Sequence, residues 1–140
     1  MRYLLFTLLL FGLPLSLGCD KPRVKFGGTV TYSDGAPLTL GAVNFDSGQY
    51  TFVGVINKEG HYAPNMGAEG AGIPEGTYRV WLTGTDLPND IVNPDGTVIH
   101  KPPTPQVADK FCNIETSDLT FEAKPGGPKV FNIVVERPSK

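Results

Sequence analysis

Chemistry in this 140-residue chain would have to come from a short list of side chains. There are two histidines, His61 and His100, and two cysteines, Cys19 and Cys112, with no CxxC pair, so no His/Cys metal site is expected. His61 lies between Gly60 and Tyr62 at the start of an expected strand. As a general base it would need a positioned carboxylate and a nucleophile. Ser33, Ser47, Ser117 and Ser139 stand in no G-x-S-x-G elbow. His100 sits beside Lys101 in a proline-rich stretch, and no catalytic residue is assigned. Asp86, Asp90 and Asp95, with Asn89 and Asn93, supply the hard oxygen ligands of a candidate Ca²⁺ site. Their spacing lacks the sixth-position glycine and closing glutamate of an EF-hand, and Asp and Asn are also ordinary turn residues. No cofactor is expected. Trp81 and Arg79 alternate with Tyr78, Val80 and Leu82, so they would point outward from a strand. That makes Trp81 and Arg79 a candidate binding surface, for a partner protein or for a stacked sugar ring. The other arrangement, expected here, has the 84–105 segment folded over Trp81 to make it core.

The leading residues act as an address. Arg2 is followed by an apolar run from Tyr3 to Leu17, broken by Gly12 and Pro14. A spanning helix needs about twenty apolar residues, and Pro14 would break a retained one. A charged start, a short apolar stretch and a small residue before a cut read as an export signal over residues 1–18. Leu15-Ser16-Leu17-Gly18-Cys19 resembles the lipobox of bacterial lipoproteins, with Ser16 and Leu17 in the reverse of the commonest order. The resemblance implies that Cys19 becomes the first residue and carries a diacylglyceryl group, usually with an acylated amino terminus (palmitate or a similar chain). Residues 19–23 would then be a lipidated tether. Localisation would be the bacterial cell envelope, anchored to the inner or the outer membrane, with the domain facing periplasm or exterior. Cys112 would have no intrachain partner and is expected to be a small core residue.

The remaining elements follow from turn signals and two-residue periods. Charges nearly balance at twelve basic against fourteen acidic residues, which excludes a strong electrostatic footprint for nucleic acid. Turns at Ser33-Asp34-Gly35, Lys58-Glu59-Gly60, Pro74-Glu75-Gly76, Pro94-Asp95-Gly96 and Pro125-Gly126-Gly127 separate short runs rich in Val, Phe, Tyr, Thr and Ile. That pattern predicts an all-β sandwich of about seven strands over residues 24–137. Residues 23–32 alternate as one strand. Further strands are expected at 42–46, 50–57 and 77–83, and around Leu119-Phe121-Ala123 and Phe131-Ile133-Val135. Residues 67–72 read as a small-residue loop. Residues 84–105, with five prolines, read as a long functional loop. A short helix is expected near 105–112, with Thr104 as cap and Pro105 in first position.

The run Gly28-Thr29-Val30, Asp34-Gly35-Ala36-Pro37-Leu38, Gly41-Ala42-Val43-Asn44-Phe45, Gly60-His61-Tyr62 and Ile73-Pro74-Glu75-Gly76-Thr77-Tyr78-Arg79-Val80 resembles the carboxypeptidase-regulatory-like, or transthyretin-like, β-sandwich. The segment from Thr116 to Gly126 is similar to the end of small lipoproteins built on that module. The resemblance implies a transthyretin-like or immunoglobulin-like fold and says little about chemistry. Transthyretin-like domains include hydroxyisourate hydrolases, but the Tyr-Arg-Gly-Ser ending of those enzymes is not found here, so a hydrolase is the remotest reading. The expected function is a non-enzymatic, membrane-tethered binding or structural module. The alternative is a carbohydrate-binding accessory protein. Partners would be the membrane, through the lipid, and an envelope protein or polysaccharide. Cys19→Ala is expected to lose the acyl mass and accumulate as unprocessed or soluble protein, which intact-mass measurement of the purified product checks.

Overall fold

Two-residue alternation places the bulky apolar side chains of each main strand on one side, and two sheets close over them. The structure is a computed structural model and describes residues 22–64 and 72–139. The readings made for residues 1–18, for Cys19 and for most of the 67–72 loop lie outside the described residues. The strands are β1 (Arg23–Val24), β2 (Gly28–Tyr32), β3 (Ala42–Asp46), β4 (Thr51–Val55), β5 (His61–Tyr62), β6 (Ile73–Pro74) and β7 (Gly76–Thr83). They continue with β8 (Asp86–Leu87), β9 (Ile91–Val92), β10 (Val98–Ile99), β11 (Thr104–Pro105), β12 (Leu119–Ala123) and β13 (Ile133–Val135). A four-stranded antiparallel sheet runs β12-β7-β3-β4, and a three-stranded sheet runs β13-β2-β5 with β13 parallel to β2. Together they make the expected all-β sandwich, with seven strands in its two main sheets.

The core is aromatic at its centre. Phe26 stacks on Phe121 with ring centroids 4.0 Å apart, and Phe45 meets the edge of Phe26 at 5.4 Å. Phe45 also lies 6.0 Å from Tyr62, across from one sheet to the other. Val43, Phe45, Val80 and Leu82 on one side and Val30 and Val135 on the other are fully buried. Each such side chain contributes about 1.5–3 kcal/mol relative to exposure. Among the described residues every buried side-chain nitrogen and oxygen has a hydrogen-bond partner.

Gly28 permits the approach of β13. A Cβ there would lie 1.9 Å from the Phe131 carbonyl oxygen, closer than any two atoms can pack. The Tyr62 hydroxyl, buried beside it, donates to that same carbonyl at 2.6 Å. The chain passes from β4 in one sheet to β5 in the other through a turn with Gly60 at φ +81°, where Asn57 Oδ1 accepts from the amides of Glu59 and His61 at 3.0 and 2.9 Å.

Three expectations are corrected. Residues 23–32 are not one strand. Val24, Phe26, Val30 and Tyr32 keep their inward alternation, but β1 leaves to pair with β6 while β2 joins the three-stranded sheet. The chain changes sheets at Gly27 and Gly28, where the backbones of Tyr62 and Phe131 press too close for a side chain. Residues 84–105 are a two-tier ribbon and not an open loop: β8 pairs with β11 and β9 with β10. Its prolines cannot donate to a ladder, which keeps each tier to two residues per strand. The short helical turn expected near 105–112 is present as one 3-10 turn at Asp109–Phe111, but its start is not where expected. Thr104 and Pro105 belong to β11 instead, and Ala108, at the cap position, offers no side-chain acceptor.

Burial raises the Tyr62 hydroxyl well above the ordinary tyrosine range and raises Tyr78 in the same direction. The folded state therefore holds protons that the unfolded chain releases above about pH 10. Stability is full below that pH and is lost as pH rises toward the folded values. Tyr62→Phe is expected to lower stability by about 1 kcal/mol at pH 7, through the lost bond to Phe131. It should also flatten the decline above pH 10, leaving the part due to Tyr78. Urea unfolding at pH 7, 9 and 11 checks both.

Candidate functional site

Strand alternation sends Arg79, Trp81 and Thr83 of β7 to the outer face of the four-stranded sheet. Register places Asn44 of β3 beside Trp81, Asp46 beside Arg79 and Ala42 beside Thr83. On the far side of β3, Val53 of β4 stands beside Asn44 and Val55 beside Ala42. Trp81, Val53 and Val55 thus share one outer face, with Asn44 and Ala42 of β3 between them, across strands whose opposite face is core.

Trp81 is half-buried. The 84–105 segment pairs with itself as a ribbon, and Trp81 is partly covered without being a core residue. Val53 and Val55 are 42% and 74% exposed, the latter among the barest large apolar residues described. Asn44, by contrast, is 7% exposed. Its amide donates to Thr83 Oγ1 at 3.0 Å and to the Trp81 carbonyl at 3.4 Å. Arg79 reaches Glu115 at 3.7 Å and Asp46 at 4.0 Å. These two ion pairs hold the guanidinium on the same face, two residues from Trp81, and being exposed they contribute little to stability. The polar groups here are engaged with one another, while the apolar ones face outward.

The remaining candidates are dispersed. Asp86 is exposed on β8, paired with Pro105. The Asp90 carboxylate is 3.2 Å from His100 Nδ1. Asp95 accepts from the hydroxyl of Thr97 at 2.6 Å and from its amide at 2.9 Å, and these bonds, the hydroxyl first, hold its carboxyl below the usual range. Among the described residues no group of three or more His, Cys, Asp or Glu is placed to hold a metal ion. His61 is exposed on β5, opposite Thr29, and away from the His100 ribbon. Cys112 is half-buried, its sulfur 3.5 Å from Thr85 Oγ1. Among the described residues no helix is long and apolar enough to cross a membrane.

The sequence alternation put Trp81 and Arg79 on the outer face, where the structure has them, but did not single out Asn44, Val53 and Val55. The alternation of Thr51, Val53 and Val55 against Phe52 and Gly54 carried the signal, since valines out of phase with the core must lie outside. It also missed the exposed Leu87, Ile91, Val92, Val98 and Ile99 of the ribbon, an unusual density of aliphatics for a turn-rich segment.

No protein-family model matches the chain, and no curated protein matches it. Among solved structures, it is similar to a variant of the major pilin subunit of Bacillus cereus, at 14% identity and a TM-score of 0.44. The match covers 84% of this chain and 30% of that subunit, so the chain spans about a third of the pilin's length.

With no group of three or more of these acids placed around a common point among the described residues, the melting temperature is expected to agree within about 1 °C between EDTA and millimolar Ca²⁺, because an ion that binds only the folded state must raise it. A clear rise with Ca²⁺ would show that the ribbon gathers these acids around the ion.

Proposed function

We propose that this chain is a non-enzymatic binding module of the bacterial envelope, tethered to a membrane through a lipidated Cys19 and docking a partner protein on the outer face of its four-stranded sheet. The observation that carries the docking role is the exposure of Val53 and Val55 on the outer face that also holds the half-buried Trp81, on a sheet whose other face is core. A half-buried indole beside exposed valines, rimmed by an arginine, is the composition of an interface centre. Protein is favoured over polysaccharide because Asn44 and Arg79, the polar groups nearest the indole, are already engaged within the sheet. The tether rests on the leading apolar run and the Leu15-to-Cys19 pattern. The likeness of the turn and strand motifs to the carboxypeptidase-regulatory-like module supports the same reading.

A photo-crosslinking residue at Val55 in cells producing the full chain tests the docking face. A discrete protein adduct is expected, lost in Val53→Asp and weakened roughly tenfold or more in Trp81→Ala. Adducts that persist unchanged in both variants, crosslinks to polysaccharide, or no adduct at all would each overturn this docking surface.

A further inference from the structure

We propose that the 84–105 ribbon of one copy of this chain seats in a groove at the opposite end of a second copy, joining copies head to tail. The ribbon is the more unusual of the two surfaces. Ile91 faces Ile99 and Val92 faces Val98 across the β9–β10 tier. Neighbouring pairs point to opposite faces, so the tier is aliphatic on both sides. All four residues are between 41% and 68% exposed. A two-stranded hairpin in water is marginal unless one face packs against something. The backbone of this one is nevertheless tied down. Asn93 N donates to Thr97 O at 2.9 Å and Gly96 N to Asn93 O at 2.9 Å, while Asn89 Nδ2 reaches Thr104 Oγ1 at 2.6 Å. A surface ordered in advance loses less freedom on association.

The groove lies where β2 begins. Tyr62, Val130, His61 and Lys129 are among the residues that line it, together with Gly27 and Gly28. It is a shallow, open depression of about 540 Å³, and its lining is largely apolar and contains no carboxylate. Lys129 makes no ion pair among the described residues. The ribbon carries the opposite charge: Asp86, Asp90 and Asp95 against Lys101 alone as a fixed cation. The ribbon is aliphatic with an excess of carboxylates and the groove is apolar with one lysine, so the two surfaces match in apolar character and differ in sign, and the charge favours one orientation of docking.

Their positions dictate the geometry of assembly. The groove sits at the start of β2, beside Val130 and the residues that lead into β13. The ribbon rejoins the body at the other end of these strands, where the Tyr32 hydroxyl donates to the Gln106 carbonyl at 3.1 Å and Ala108 N donates to the Glu136 carbonyl at 2.9 Å. β2 and β13 run parallel, so the two surfaces occupy opposite ends of one strand pair. No ribbon residue lines the groove of its own molecule. A contact between different patches is heterologous, and each added copy again presents one ribbon and one groove.

Sedimentation of the full chain over a range of concentrations tests this, with any association through the leading residues common to every variant. Wild type is expected to form species that grow with concentration and weaken with added salt. Ile91→Thr with Ile99→Thr, which keeps the ribbon β-branched, should lose the concentration-dependent growth. So should Lys129→Glu with Val130→Asp, which alters only the groove. Mixing these two double variants should restore a single contact, giving a 1:1 dimer that grows no further. A wild type that shows no concentration-dependent growth, growth unaffected by either double variant, or a mixture that does not pair would overturn the proposal. So would ribbon-dependent binding to phosphatidylcholine vesicles in place of self-association.

Discussion

The meeting of Tyr62, Phe131 and Gly28 is the constraint on which the sandwich depends. β13 must run beside β2 for Ile133 and Val135 to reach the core, and the Phe131 carbonyl then passes through the space a side chain at position 28 would need. Glycine there leaves that space free, and the Tyr62 hydroxyl satisfies the carbonyl that is drawn in. An unsatisfied carbonyl at this depth would cost about 1–3 kcal/mol. With β13 seated, Phe131 comes within 5.0 Å of Phe121 on the facing sheet, and Phe26 completes the stack. The aromatic cluster is thus the consequence of one backbone approach and not a set of independent contacts.

Much of this was legible in the residues. Period-two runs at 42–46 and 77–83 named strands and faces correctly, because burial on one side is a strong and local constraint. Trp81 and Arg79 were found the same way. The division of 23–32 was not legible: the alternation continues unbroken through Phe26 while the hydrogen-bond partner changes, and side-chain pattern reports the face, not the neighbour. The ribbon at 84–105 was missed for a related reason. Its five prolines argue against a strand when counted together, yet β9 and β10 fall in the stretches between them. Cross-strand pairs such as Ile91 with Ile99 become visible only once the turn at Asn93 to Thr97 fixes which residues face each other.

Stability and exposure are separated in this molecule in a way that bears on function. The core residues lie on the facing sides of two sheets, so the outer face of the four-stranded sheet and the ribbon are free to carry side chains that the fold does not require. Val55 and Val92, 74% and 68% exposed, contribute almost nothing to burial within the chain. Scattered exposed aliphatics need no explanation, but aliphatics aligned across paired strands form continuous apolar patches, and such patches are the mark of contact surfaces.

The ribbon sharpens that argument because it has no packed face to organise it. Its order comes instead from polar side chains that act on the backbone: Asn93 and Asp95 with Thr97 at the tip, and Asn89 with Thr104 nearer the base. Each such bond adds about 0.5–1.5 kcal/mol. Together they offset part of the entropy of fixing a short hairpin without using its aliphatic side chains. Those side chains are therefore available, already positioned, for whatever surface covers them. A loop whose aliphatics folded back onto the body would gain stability and lose that capacity. The outward arrangement of Ile91, Val92, Val98 and Ile99 is the physical signature of a segment that presents its apolar surface to another molecule and not to its own core.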